Sequence, residues 1–152
     1  MPEHNAESKI VIIRECKETD FEQVFKLLEQ LWPDKTLDRE KLRQIFLQGL
    51  KSEFQSYVCA VIGENLVGFC SLTIKNSLWQ AGLLGHIDEL VVDKHHHGKG
   101  IGSRLLGSIT KLAKEKGCRR IELDSAFNRT EAHKFYEKNG FENRAYLFSK
   151  EV

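Results

Sequence analysis

The period of the hydrophobic positions changes several times along the chain, and each change marks an element. Residues 9–16, KIVIIREC, begin with a β-branched run that predicts a first strand. Thr19 or Asp20 then stands where a helix cap belongs. From Phe21 the apolar residues Phe21, Val24, Phe25, Leu27, Leu28 and Leu31 follow helical spacing, and Pro33 stops the helix after Trp32. A second helix over residues 37–51 carries Leu37, Leu42, Ile45, Phe46 and Leu50 on one stripe. Residues 56–62 and 66–74 are short apolar runs joined by Gly63, Glu64 and Asn65, the pattern of a β-hairpin. A fourth strand over residues 84–93 ends at the run KHHHGKGIG.

The helical period returns over residues 100–116, with Ile101, Leu105, Leu106, Ile109, Leu112 and Ala113 inward and Gly117 as the stop. Residues 118–125 alternate at Ile121 and Leu123 as a fifth strand. Asn128 and Glu131 form a capping pair for a helix with Ala132, Phe135 and Tyr136 on one face, ended by Gly140. Residues 141–148 are expected to close the sheet as a last strand. The order β-α-α-β-β-β-α-β-α-β predicts an α/β fold, a mixed sheet with helices on both faces. No repeat, linker or low-complexity segment interrupts it. Residues 1–8 are polar and read as a disordered tail, leaving residues 9–152 as a single domain.

Composition narrows the function classes. The chain has 152 residues, enough for one core that buries roughly 70% of the unfolded surface. Its 23 basic and 22 acidic side chains nearly cancel, so no overall field draws it to nucleic acid or an anionic membrane. Any anion it binds is held by a local site. Cys16, Cys59, Cys70 and Cys118 are widely spaced with no C-x-x-C pair, which predicts reduced core thiols rather than a zinc knuckle or disulfide framework. Without an N-terminal leader pattern or an apolar run of about 18 residues, the expectation is a cytoplasmic protein.

The chemistry begins where the fourth strand runs into Gly98, Gly100 and Gly102. A helix N-terminus offers unpaired N–H groups and a partial positive charge, and glycines let phosphates reach the backbone. Lys99 adds positive charge, and His97 does so when protonated. The run lacks G-x-x-x-x-G-K-[ST], and Ser103 stands where G-x-G-x-x-G needs its third glycine. Nucleotide hydrolysis and dinucleotide-dependent oxidation are therefore disfavoured. His95, His96 and His97 are consecutive and cannot all face one ion, so no metal is expected.

The run DELVVDKHHHGKGIG, residues 88–102, resembles the acetyl-coenzyme A motif of the GNAT superfamily of N-acetyltransferases. AHKFYEKNGF, residues 132–141, is similar to that superfamily's second signature, a tyrosine-bearing helix followed by Gly-Phe. The resemblance implies that Leu90, Val91 and Val92 pair with the pantetheine arm of acetyl-coenzyme A. It further implies that the loop from His97 through Gly98, Lys99, Gly100, Ile101 and Gly102 to Ser103 holds the pyrophosphate. His97 departs from the family's Arg or Gln, which weakens one phosphate contact and spares the backbone cradle. Asn128 and Arg129 lie where the family places an asparagine against the cofactor; the family's spacing to the following alanine falls on Arg129, and Asn128 is kept as the cofactor contact.

Acetyl transfer from a thioester needs a neutral amine, a stabilised oxyanion and a protonated leaving thiolate. An alkylamine with a pKa near ~10.4 is mostly cationic at neutral pH, so a base helps. The resemblance implies Glu89 as that base, with Asp88 matching some members instead. On a regular strand the two point to opposite faces, so only one reaches the substrate, and Glu89 is favoured. A backbone N–H near Val91 or Val92 would hold the oxyanion. Tyr136 matches the family's general acid and also lies against the cofactor, while Phe135 reads as core. The expected partner is a small-molecule or peptide amine, with a homodimer left open, and the resemblance implies an acceptor pocket between the first two helices, where Trp32, Pro33 and Asp34 lie. The competing expectation is a non-catalytic acyl-coenzyme A sensor, which needs neither Tyr136 nor a strand-end carboxylate.

Overall fold

A computed structural model describes residues 10–152; Lys9 and the tail assigned to residues 1–8 lie outside it. The elements are β1 (Val11–Glu15), α1 (Phe21–Leu31), α2 (Arg39–Leu50), β2 (Gln55–Ile62), β3 (Asn65–Ser77), β4 (Gly82–Val92), α3 (Ile101–Glu115), β5 (Cys118–Leu123) and α4 (Thr130–Lys138). Strand order follows chain order. β1 to β4 are antiparallel neighbours, whereas β5 lies parallel to β4 with α3 as the crossover that parallel pairing requires.

The sheet is covered on both faces, so its central strand is buried almost continuously, as the run Leu66 to Leu72 shows. One layer is α1 and α2, whose Phe21, Val24, Leu28 and Phe46 pack on Cys59, Phe69 and Val91. The other is α3 with α4, where Leu105, Ile109 and Tyr136 meet Val58, Cys70, Leu72 and Ile87. A Cβ at Gly68 would lie 2.8 Å from Leu105 Cδ1, so this glycine lets α3 settle close on β3. All four cysteines are free, and Cys16, Cys59 and Cys70 are buried. None of the described helices is long and apolar enough to cross a membrane.

Three local expectations need correction. Residues 141–148 form no strand: Phe141 packs on Tyr136, and everything after it is exposed. Side chains rather than a ladder hold the segment, with the Arg144 guanidinium 4.9 Å above Trp79 and Tyr146 6.2 Å from Phe127. The Asn128–Glu131 capping pair does not form either, because α4 starts one residue later, with Arg129 at the cap and no side-chain cap bond. Asp20 stands at the head of α1 without capping it. Its carboxylate instead accepts from Lys17 N at 2.7 Å and from both Arg14 terminal nitrogens, at 2.7 and 2.9 Å, tying β1 to the helix.

Candidate active site

The glycine run forms an open turn ahead of α3. Gly98 and Gly100 have φ of +77° and +78°, where an L side chain is strained, and nothing lies within 4 Å of a Cβ at either. Gly100 caps α3 without a side chain, and the first helical bond runs from Arg104 N–H to Gly100 O. The amides of Ile101, Gly102 and Ser103 therefore precede the ladder with no capping side chain, which is the arrangement that attracts an anion. Gly102 has a second reason to lack a Cβ, which would lie 3.1 Å from Phe135 Cζ, so it sets how closely α4 lies on α3.

The turn is tied to α1. Gln30 Nε2 donates to Asp93 Oδ1 at 2.8 Å, and Gln30 Oε1 accepts from Lys94 N at 3.0 Å. His96 Nδ1 lies 2.9 Å from Asp93 Oδ2. The Gln30 donor first, with His96 helping, holds the Asp93 carboxyl below its ordinary value.

β4 is paired along one edge to its end, but the β5 ladder stops at Ile87 opposite Leu123. Among the described residues, Asp88 to Val92 have no strand partner on that side, so β4 and β5 part beside Val91 and Val92. Backbone polarity there can be read from its neighbours. Glu89 N–H is turned toward β3 onto Ser71 Oγ at 2.9 Å, and Asp93 N–H donates to Val67 O at 2.8 Å. By strand alternation the outward groups are those of Leu90 and Val92. Of the two amides expected from sequence, Val92 faces the open edge and Val91 faces β3. His97 donates its Nε2–H to the outward Val92 carbonyl at 2.7 Å.

Asp88 and Glu89 do not point to opposite faces. The β3–β4 register passes from Leu72–Ile87 to Ser71–Glu89, so Asp88 is an extra residue that forms a bulge. Ser71 and Thr73, two apart on β3, share a face. Ser71 Oγ donates to Glu89 Oε2 and Thr73 Oγ1 to Asp88 Oδ2. Both carboxylates therefore lie on the α1–α2 face, where Phe69 and Val91 are also packed. Burial pushes the Glu89 carboxyl up, the Ser71 bond opposes this, and the Asp88 charge adds to the rise.

Sequence reasoning missed three residues of this face. Tyr57, stacked on Phe46 at 5.1 Å, has its phenol pushed up to about 12 by burial first and then by the Glu89 and Asp88 charges. Ser71 and Thr73 carry the carboxylates, and their i, i+2 spacing was the available signal. Tyr136 lies on the opposite, α3 side, buried between Phe135 at 5.5 Å and Phe141 at 6.0 Å. Desolvation raises its phenol pKa, with Arg129 opposing. Asn128 stands in the loop after β5, exposed and making no cap. Nearby, Ser125 Oγ is buried with no hydrogen-bond partner among the described residues.

Residues 19–141 match the family model described as Acetyltransferase (GNAT) family. An aminoalkylphosphonate N-acetyltransferase of Salmonella typhimurium is 30% identical, the match covering 91% of this chain and 89% of that protein. The structure of glucosamine-6-phosphate N-acetyltransferase from Arabidopsis thaliana aligns with TM-score 0.80 and 25% identity, covering 93% of this chain and 98% of that one. A transcriptional regulator from Bacillus halodurans C-125 aligns with TM-score 0.82 and 28% identity, covering 94% of this chain and all of the other.

Proposed function

This chain belongs to the GNAT family of acetyltransferases and is an acetyltransferase, and from that premise we propose that it passes the acetyl group of acetyl-coenzyme A directly to a primary amine. The acceptor is a small molecule or a peptide, and the relatives named for an aminoalkylphosphonate and for glucosamine 6-phosphate favour the small molecule. The observation that carries the reading is the half-open β4, whose residues 88–92 expose backbone along one edge between a half-buried carboxylate and a buried tyrosine.

The site suits acetyl-coenzyme A on three counts. The amides of Ile101, Gly102 and Ser103 would hold its pyrophosphate beside the unobstructed Gly98 and Gly100. The outward edge of Leu90 and Val92 would pair with its amide-bearing arm. The orphaned Ser125 hydroxyl would gain the partner it lacks. When bound, the cosubstrate supplies an activated acyl thioester.

Glu89 serves as the base. Asp88 has each carboxylate oxygen engaged, one by Thr73 and one by His86, while Glu89 has one oxygen on Ser71 and the other unassigned. Its raised pKa brings it nearer neutrality, where it accepts a proton from an ammonium more readily than an ordinary carboxylate does. The outward Val92 amide, or that of Leu90, stabilises the oxyanion. Tyr136 stays protonated at neutral pH and donates from Oη to the departing sulfur.

Tyr136→Phe tests the assignment because it keeps the ring packed between Phe135 and Phe141 and removes only the hydroxyl. Turnover with a competent amine should fall at least about 100-fold while coenzyme A still raises the melting temperature. A non-catalytic sensor would bind in both proteins and turn over in neither. Turnover within about threefold of the parent would remove Tyr136 from the mechanism.

A further inference from the structure

His86 faces the α1–α2 side of β4 one pair before the last β4–β5 pair, opposite Thr73 on β3 and Glu122 on β5. Its Nδ1 lies 2.8 Å from Asp88 Oδ1, and its Nε2 lies 3.1 Å from Asp124 Oδ2. Asp88 is the bulge residue next to Glu89. Asp124 is the first residue beyond the last paired position of β5. The ring thus bridges the two strands at the point where they part. Thr73 fixes the other Asp88 oxygen, so the bulge is held from both sides.

We propose that His86 is a positioning residue for acetyl transfer, clamping Asp88 to Asp124 so that the bulge presents Glu89 at a splay of set width. The inference rests on the acetyltransfer reading above. A carboxylate only accepts, so a ring bonded to two of them must donate from both nitrogens, and only the imidazolium can. The groups facing it are Asp88 and Glu89 on its own strand, Thr73 on β3, Glu122 and Asp124 on β5, and Tyr57 beyond Glu89 on β2. The Asp88 bond is the largest cause that holds His86 protonated above the ordinary imidazole range, with Asp124 adding to it and burial opposing. As pH rises through that raised value the ring loses a proton, one of the two bonds is lost, and the clamp opens on one side.

The test has two arms on the full chain. In the first, the His86 imidazole is titrated by NMR, with His86→Gln to assign the signal. Its midpoint should lie above the ordinary value of about 6.5 in the parent and fall back toward it in Asp124→Asn. In the second, His86→Phe should lower kcat about tenfold while the KM for acetyl-coenzyme A changes by less than about threefold, since a displaced base costs rate rather than cofactor binding. His86→Gln, which can still donate to one carboxylate, should recover part of the rate and lose the pH step that the parent shows. Should His86→Phe not fold, Asp124→Asn replaces it with the same expected direction. An ordinary midpoint, or His86→Phe turnover within about threefold of an active parent across the pH range, overturns the inference alone. A parent that acetylates no amine overturns the catalytic reading and the positioning role together.

Discussion

The two halves of β4 share one backbone and differ in what lies beside them. From Leu83 to Ile87 the strand is paired on both edges, and Leu84, Gly85 and Ile87 are buried in the core. From Asp88 to Val92 it is paired on one edge only, and the polar side chains Asp88 and Glu89 appear there with hydroxyl partners on β3. Ending the β5 ladder at Leu123 leaves unsatisfied backbone, which is costly in a closed core and useful to a ligand that has amides of its own to pair. On the proposed reading, the first half carries stability and the second carries binding and chemistry.

The sharpest way to break this division is to damage the closed half. Leu72 is fully buried opposite Ile87, so Leu72→Ala should cost about 2–5 kcal/mol in denaturant unfolding while leaving the KM for acetyl-coenzyme A near the parent value. If cofactor binding fell as steeply as stability, the halves would not be separable. A smaller effect is expected from the open half. Coenzyme A at about 100 times its dissociation constant should add ~2.7 kcal/mol, a melting shift of roughly 5 to 10 °C for a domain near this size. Gly100→Val should abolish that shift, because a branched side chain at φ +78° stands in the space through which phosphate approaches. Gly107→Ala on the same helix, where a Cβ meets nothing, should keep the shift and stabilise the protein by up to about 1 kcal/mol.

The smallest effect sharpens the comparison at its boundary. In the proposed role Glu89 acts as a base only when ionised, so turnover should fall as pH drops through its folded pKa, which already lies above the ordinary carboxylate value. The Ser71 bond opposes that rise. Ser71→Ala should move the acid limb of kcat/KM to higher pH with little loss at the optimum. A limb that moves to lower pH, or stays where it is, would detach Ser71 from the titrating group.

Much of this architecture was legible in the chain. Residue periodicity located all four α-helices and the first five strands to within a few positions, because one buried stripe per helix and one apolar run per strand leave that periodic trace. Gly98 and Gly100 were legible as a left-handed turn because only glycine occupies one without strain, and Tyr136 stood out through its place on a helix followed by Gly-Phe. Residues 141–148 show the limit of that reading. Their apolar residues suit a strand, yet strand formation requires a partner edge in register, and local pattern does not specify where a segment pairs.

The sequence by itself determined which residue types are present at the turn, the strand end and the tyrosine helix, since those follow from local spacing and backbone preference. Only the tertiary structure decided that one extra residue at Asp88 turns two neighbouring carboxylates onto one face, that Ser71 and Thr73 meet them, and that His86 reaches Asp124 across the splay. A bulge depends on the register between two strands, and a contact from residue 86 to residue 124 depends on where a parallel strand ends. Neither quantity has a local trace, because both are set by pairing between distant segments.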